Sequence, residues 1–427
     1  MTTPLPASSQ RDELVALLVE LGKLLILSGE AVDVIRRRLL TIANVCGADD
    51  LDIVVLPTVL LLQAGGVSTG QVRLTSAVSG IRLRLDQVSD VYDVAGRAER
   101  GEVTVSDAHA ELAVILVRPA PFGRVVRTIG LGVLSAGFAL ALQPTLLGVA
   151  GAFVLGTLVG LVLLIRVPEL QAVMPVLVSF GVAAIVFVAA EYYDGENPIR
   201  SLIAPLVVFL PGAAITTGTM ELAAGQTISG ASRLVEGLMN LLLLAFGIVA
   251  AAALVGVPPT DLIDRPFDQL GSWTTVLALV VIALGNHLHL CAPRRAMPWI
   301  LLVLVAASAG QEFGAAVFEP ELSGFFGALA MTPLVLLIGR RREGPPSMVL
   351  FLPAFWLLVP GAAGLIGVTA IVGTTSRLGP ADFTSTMVTV LSIALGVLIG
   401  TAAVKAGFEM RNRAVSAATT AGFLRQD

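Results

Sequence analysis

From residue 125 onward, ten predominantly apolar runs of about 18 to 25 residues follow one another with short polar breaks, each long enough for a helix to cross a bilayer. They predict helices near 125–142, 144–165, 172–190, 202–222, 234–256, 273–290, 297–318, 322–339, 348–373 and 383–404. The first 120 residues are patterned differently. ELVALLVELGKLLIL suits a helix from Arg11 to Leu27, with Ser28-Gly29 as its natural end. Val32, Ile35, Leu39 and Ile42 then recur on one face of a second helix, leaving Arg36-Arg37-Arg38 largely on a solvated face. β-like runs at 51–62, 71–76 and 81–85 precede helical stretches at 87–101 and 106–117. The predicted fold class is a polytopic α-helical membrane protein with about ten transmembrane helices, preceded by a small cytoplasmic α+β domain. Its expected divisions are 1–120 for that domain, then 121–257 and 272–410 for two five-helix transmembrane units.

Composition sharpens this picture. With 56% hydrophobic and 14% charged residues and a mean hydropathy of +0.88, the chain has more apolar surface than a soluble core of 427 residues could bury. The bilayer is therefore its first partner, and the pattern indicates no nucleic acid. The net charge of −4, averaged over two solvents, steers no other partner. Cys46 and Cys291 lack the spacing of a metal site and read as free thiols, so neither metal nor cofactor is expected. MTTPLPASSQ lacks the regions of a cleavable signal, which predicts a cytoplasmic amino terminus. Ten spans return the carboxyl terminus to that side. The predicted inner loops and tail hold Arg166, Arg233, Arg294, Arg295, Arg340, Arg341, Arg342, Arg411 and Arg413, against Arg200, Arg265 and Arg377 outside, as the positive-inside rule requires.

One span interrupts itself. VVFLPGAAITTGTMELAAG places Pro211 and Gly212 within an apolar run, followed by Thr216, Thr217, Thr219 and Glu221. PGAAITTG at 211–218 finds a counterpart in PGAAGLIG at 360–367, at an offset of 149 that recurs for Leu242, Ala245 and Gly247 against Leu391, Ala394 and Gly396. A unit of five spans inserts its second copy in the opposite sense, giving the inverted repeat of many secondary transporters. Proline removes a backbone donor, so each PG pair can divide its span into half-helices whose freed groups line a cavity near the midplane. Pro211, Gly212, Thr216, Thr217, Pro360 and Gly361 are the candidate substrate-binding residues. A packing kink with back-bonded threonines is the competing reading.

Charge inside the spans supplies the candidates for proton coupling or ion pairing: Glu221, Arg233, Glu236, Glu312 and His287. Arg233 and Glu236 form an i, i+3 pair, and Glu312 is either a proton carrier or interfacial. His287, with Asn286 and His289, is a possible relay and lacks the third ligand of a metal site. His109 stands without a catalytic neighbour.

LLILSGEAVDVIRRRLLTIANVCG, Pro57-Thr58 and LVVFLPGAAITTGTMELAAGQTISGASRLVEGLMN together resemble the threonine/serine exporter family. The family pattern of a PG turn, an acidic residue, SG and R-x-x-E falls on Pro211, Gly212, Glu221, Ser229, Gly230, Arg233 and Glu236. Where the family more often reads SGA followed by E, this chain has Ser28-Gly29-Glu30-Ala31. The resemblance implies export of threonine and serine across a bacterial-type plasma membrane, driven by the proton gradient, and no enzymatic activity; it leaves homo-oligomerisation open. Related split members imply a dicarboxylate such as succinate as an alternative solute. A membrane-anchored enzyme or sensor is the alternative of another class.

Overall fold

The computed structural model describes residues 8–64, 71–76, 83–142, 145–165, 167–192, 198–257, 273–319, 322–341, 343–358 and 380–423. Its amino-terminal unit is built around α1 (Ser8–Leu27), whose Leu14, Leu17, Leu18, Leu21, Leu24 and Leu25 are buried. The helix stops at Gly29, which takes the left-handed φ of +81° that a side chain would resist. Helix α2 (Val32–Val45) buries Val32, Ile35, Leu39 and Ile42, while Arg37 pairs with Asp33 at 2.9 Å on the exposed side.

The expected strand at 51–62 is two strands, β1 (Leu51–Val55) and β2 (Val59–Ala64), paired antiparallel with Leu51 opposite Ala64. Leu56, Pro57 and Thr58 make the turn that splits it. β3 (Gln71–Ser76) adds to the other edge of β2. The run expected at 81–85 lies partly outside the described residues, and its end is helical, since Leu85 opens α3 (Leu85–Glu99). Thr104 caps α4 (Val105–Val117) by accepting the Asp107 amide at 3.1 Å, and α4 packs on α1 and α3.

The apolar portion comprises α5 (Arg124–Ala141), α6 (Leu146–Val162), the short α7 (Pro168–Gln171), α8 (Met174–Ala190), α9 (Pro198–Leu206), α10 (Gly212–Ala223) and α11 (Thr227–Val255). It continues with α12 (Trp273–Leu290), α13 (Met297–Val317), α14 (Ser323–Gly339), α15 (Ser347–Leu358) and α16 (Pro380–Phe423). Among the described residues, five stretches are long and apolar enough to cross a membrane: Arg124–Ala141, Thr227–Val255, Trp273–Leu290, Arg294–Val317 and Leu391–Met410. The bent pair Ser201–Phe209 with Gly212–Ala223 makes a sixth. The protein is thus a multi-pass, mostly helical membrane protein. Helices α6, α8 and α14 are apolar but have only 17 residues each, and the described part of the ninth expected span ends at Leu358.

Corresponding helices recur 149 residues apart. The bounds of α5 and α12 differ by 273 − 124 = 149 at one end and 290 − 141 = 149 at the other, α8 and α14 match likewise, and α9 and α15 begin at the same offset. Packing repeats with them. A Cβ added to Gly247 on α11 would lie 2.6 Å from the Val176 carbonyl oxygen and near Ser179 and Phe180 of α8. One added to Gly396 on α16 would lie 2.4 Å from the Phe325 carbonyl oxygen and near Ala328 and Leu329 of α14, each partner again 149 residues on. Between the halves, α5 lies against α12 with Gly130 near His289, Leu134 near Gly285 and Gly137 near Ile282, so the two helices run antiparallel. The correspondence is incomplete: α5 packs closely along α6, whereas α13 packs along α14 more than along α12.

Candidate functional site

The interruption read in the fourth span is a bend of 61° between α9 and α10. Pro205 sits inside α9, a single 3-10 turn follows at Val207–Phe209, and Pro211 becomes the cap residue of α10 without a side-chain cap. The first amides of α10 therefore lack the capping oxygen that usually satisfies them. Helix α11 closes directly over the break, since a Cβ on Gly237 would lie 3.5 Å from the Pro211 Cβ and 2.5 Å from Ile215.

The threonines divide. Thr219 donates its hydroxyl to the Ile215 carbonyl at 2.9 Å, the back-bonded arrangement of a packing kink. Thr216 is fully buried, and its hydroxyl has no partner among the described residues. Thr217 is also buried and shares a helix face with Glu221, one turn further on. Pro360 and Gly361 lie outside the described residues.

At the far end of α10 the chain folds back into α11 through Gly225, and the two helices touch through glycines: a Cβ on Gly230 would lie 2.5 Å from the Gly218 carbonyl oxygen. This approach brings Glu221, 2% exposed, against Arg233. Arg233 Nε donates to one carboxylate oxygen of Glu221 at 3.1 Å. The other accepts the Val32 amide of the amino-terminal unit at 3.0 Å, and Arg233 Nη2 donates to the Glu30 carbonyl at 2.9 Å. Val32 is the first residue of α2, whose cap residue Ala31 offers no side-chain oxygen. A carboxylate from the membrane portion thus takes the place of the missing cap and meets the positive end of the helix dipole. Glu30 turns the other way: its carboxylate accepts the Ala31 amide at 3.0 Å and the Tyr92 hydroxyl. Burial, and then that carboxylate, push the Tyr92 hydroxyl well above its ordinary pKa. Arg38, ion-paired to Glu99 at 2.9 Å, lies over the Tyr92 ring.

The remaining candidates stand apart from this cluster. Glu236, read as the partner of Arg233, is exposed, because Arg233 is drawn to the buried Glu221 instead. Glu312 is exposed on α13 near its carboxyl end. His287 holds the Ala292 carbonyl through Nδ1 at 2.6 Å and packs edge-on to Phe122, tying down the end of α12. His289 meets the Arg127 carbonyl in the same way at 2.9 Å. Among the described residues no three His, Cys, Asp or Glu side chains gather in a way that could hold a metal ion. What sequence reasoning missed is the pairing of Glu221 with Val32, 189 residues away; the signal available was that the family resemblance rests on both segments.

A threonine/serine exporter family model matches residues 16–255, which include both partners of this contact. A Mycobacterium tuberculosis protein named "Probable threonine/serine exporter" is 25% identical over 370 residues, 82% of this chain and 69% of that one. "Pheromone-regulated membrane protein 10" of Yarrowia lipolytica is 24% identical over 361 residues, 78% of this chain, and its namesake in Debaryomyces hansenii is 26% identical over 242 residues, 53% of this chain. The matched regions are only 28% and 24% of those two proteins. No solved structure matches the chain. With more than half of its length matched by the family model, this multi-pass membrane protein belongs to the threonine/serine exporter family.

Proposed function

We propose that the chain is a secondary active exporter of small hydroxy amino acids, threonine and serine, across a plasma membrane and coupled to the proton gradient. The observation that carries this reading is the bent α9–α10 pair with the buried hydroxyl of Thr216, which has no partner among the described residues, one turn past the break and within the family-matched segment. A buried hydroxyl without a partner is costly unless something visits it, and a solute hydroxyl or carboxylate is a fitting visitor beside a helix amino terminus. The name of the Mycobacterium tuberculosis relative supports the same solute class.

Ten spans in two inverted units, 121–257 and 272–410, behind a cytoplasmic domain at 1–120, give this function its frame. The 149-residue correspondence and the antiparallel pairing of the corresponding helices α5 and α12 support it, since a two-fold axis in the membrane plane relates copies in that way. Seventeen apolar residues lie at the lower limit for a span, so α6, α8 and α14 fit the count. A dicarboxylate would need a free guanidinium in the pocket, and Arg233 is already engaged by Glu221 and the Glu30 carbonyl, which favours an amino acid. An enzyme or sensor merely anchored in the bilayer would not need a broken span and repeated helices.

The test is counterflow into liposomes containing the purified protein, with labelled threonine, serine and succinate compared at equal incorporation. Threonine and serine exchange without succinate exchange is the expected result. The reverse would assign the dicarboxylate.

A further inference from the structure

The amino-terminal unit touches both halves of the membrane portion. On the first half, the turn between α1 and α2 holds the tip of the α10–α11 hairpin through the Val32 amide on Glu221 and the Glu30 carbonyl on Arg233. On the second half, Arg295, just before α13, donates to Ser89 of α3 at 3.1 Å. Helix α15 packs on α3, and the Met348 methyl lies 3.4 Å from where a Cβ on Gly29 would stand. One small body thus bridges the ends of α10, α11, α13 and α15 that share a side.

We propose that the α1–α2 turn is the inner gate of the exporter: it straps the two halves together and must leave the Glu221–Arg233 hairpin each time the path opens toward the amino-terminal unit. The proposal rests on the exporter reading, in which the halves rock about a fixed site. A body fastened to both halves blocks that motion unless one attachment releases. The hairpin attachment is built for release. It consists of directional bonds from side chains on one partner to backbone groups on the other, and it leaves Glu221 and Arg233 paired with each other when the turn departs. Thr217 lies one turn behind Glu221 on the same face, so departure of the turn exposes the α10 face that leads to the break.

The test needs no transported solute. Thr217→Cys is placed in the full chain with Cys46→Ala and Cys291→Ala, and its labelling by a small impermeant thiol reagent is timed from each side of sealed membrane vesicles. Two variants release the turn. Val32→Pro deletes the amide that Glu221 accepts and puts another compact apolar side chain at this buried position; proline is well tolerated at the first position of a helix, and Ala31 already has the extended backbone that precedes proline. The exchange of Glu221→Arg with Arg233→Glu keeps the hairpin pair but sets donor against the Val32 amide and acceptor against the Glu30 carbonyl. Labelling from the amino-terminal side is expected to rise several-fold in Val32→Pro and tenfold or more in the exchange, with labelling from the opposite side unchanged. Native rates in the exchange variant, or equal acceleration from both sides, would overturn the gate. If the exchange variant does not insert, Val32→Pro decides alone, and a native rate there overturns it. Absent threonine counterflow in the native chain would remove the solute assignment and leave the labelling result standing.

Discussion

Arg233 carries one charge and answers two partners, a carboxylate on its own hairpin and a carbonyl on the amino-terminal unit. Removing it strands Glu221 almost fully buried, and breaking such a pair costs about 3–5 kcal/mol. Arg233→Ala should therefore lower the unfolding midpoint markedly in detergent, whereas Glu236→Gln should leave it unchanged, as thermal unfolding of both will show. The sequence offered Glu236 as the partner because neighbours three apart on a helix attract. That attraction is worth only about 0.2–0.5 kcal/mol on a solvated face and loses to a desolvated carboxylate that no local rule could locate. Glu312 was legible as a charge inside an apolar run, but its outward placement depends on packing. Accordingly, Glu312→Gln should retain both solute exchange and gradient-driven accumulation in liposomes; exchange without accumulation would make it the proton carrier after all.

Among the elements, long apolar helices were the most legible, because hydropathy alone sets their length: the sixth span is expected and found at 273–290. The PG interruption was legible too, since proline breaks a helix wherever the helix lies. The last helix runs on to Phe423, some nineteen residues past its expected end at 404, because the polar, alanine-rich residues beyond the apolar run keep a helical backbone without a hydrophobic signal. Glycine contacts between helices were not legible, as they depend on which backbones meet. They yield a sharp expectation at the hairpin. A side chain at Gly230 must displace the Gly218 backbone, so Gly230→Leu should destabilise the protein by about 1–3 kcal/mol, read in the same unfolding assay. Gly212→Leu and Gly361→Leu test the proposed solute site, the second at a position outside the described residues: membrane insertion should persist while threonine counterflow is abolished, because bulk at either PG pair is expected to obstruct that site rather than the lipid contact.

For the molecule as a whole, the arginine-rich loops and the even number of expected spans carry the proposal that both termini lie on the inner side. Reporter fusions at Gln10 and Asp427 should both give the cytoplasmic signal, and cysteines introduced at 258–271 should react with an impermeant reagent in intact cells. Opposite signals from the two fusions would exclude an even span count.

The capping of α2 by Glu221 also has a meaning in time. The chain is made from its amino terminus, and the residue that completes the start of α2 lies 189 positions behind it. At bacterial or eukaryotic synthesis speeds that interval is on the order of 10 to 40 s. Throughout it the amino-terminal unit exists with one helix unfinished, waiting for the hairpin that will close it. The unit is therefore made well before the residue that completes it at this one amide.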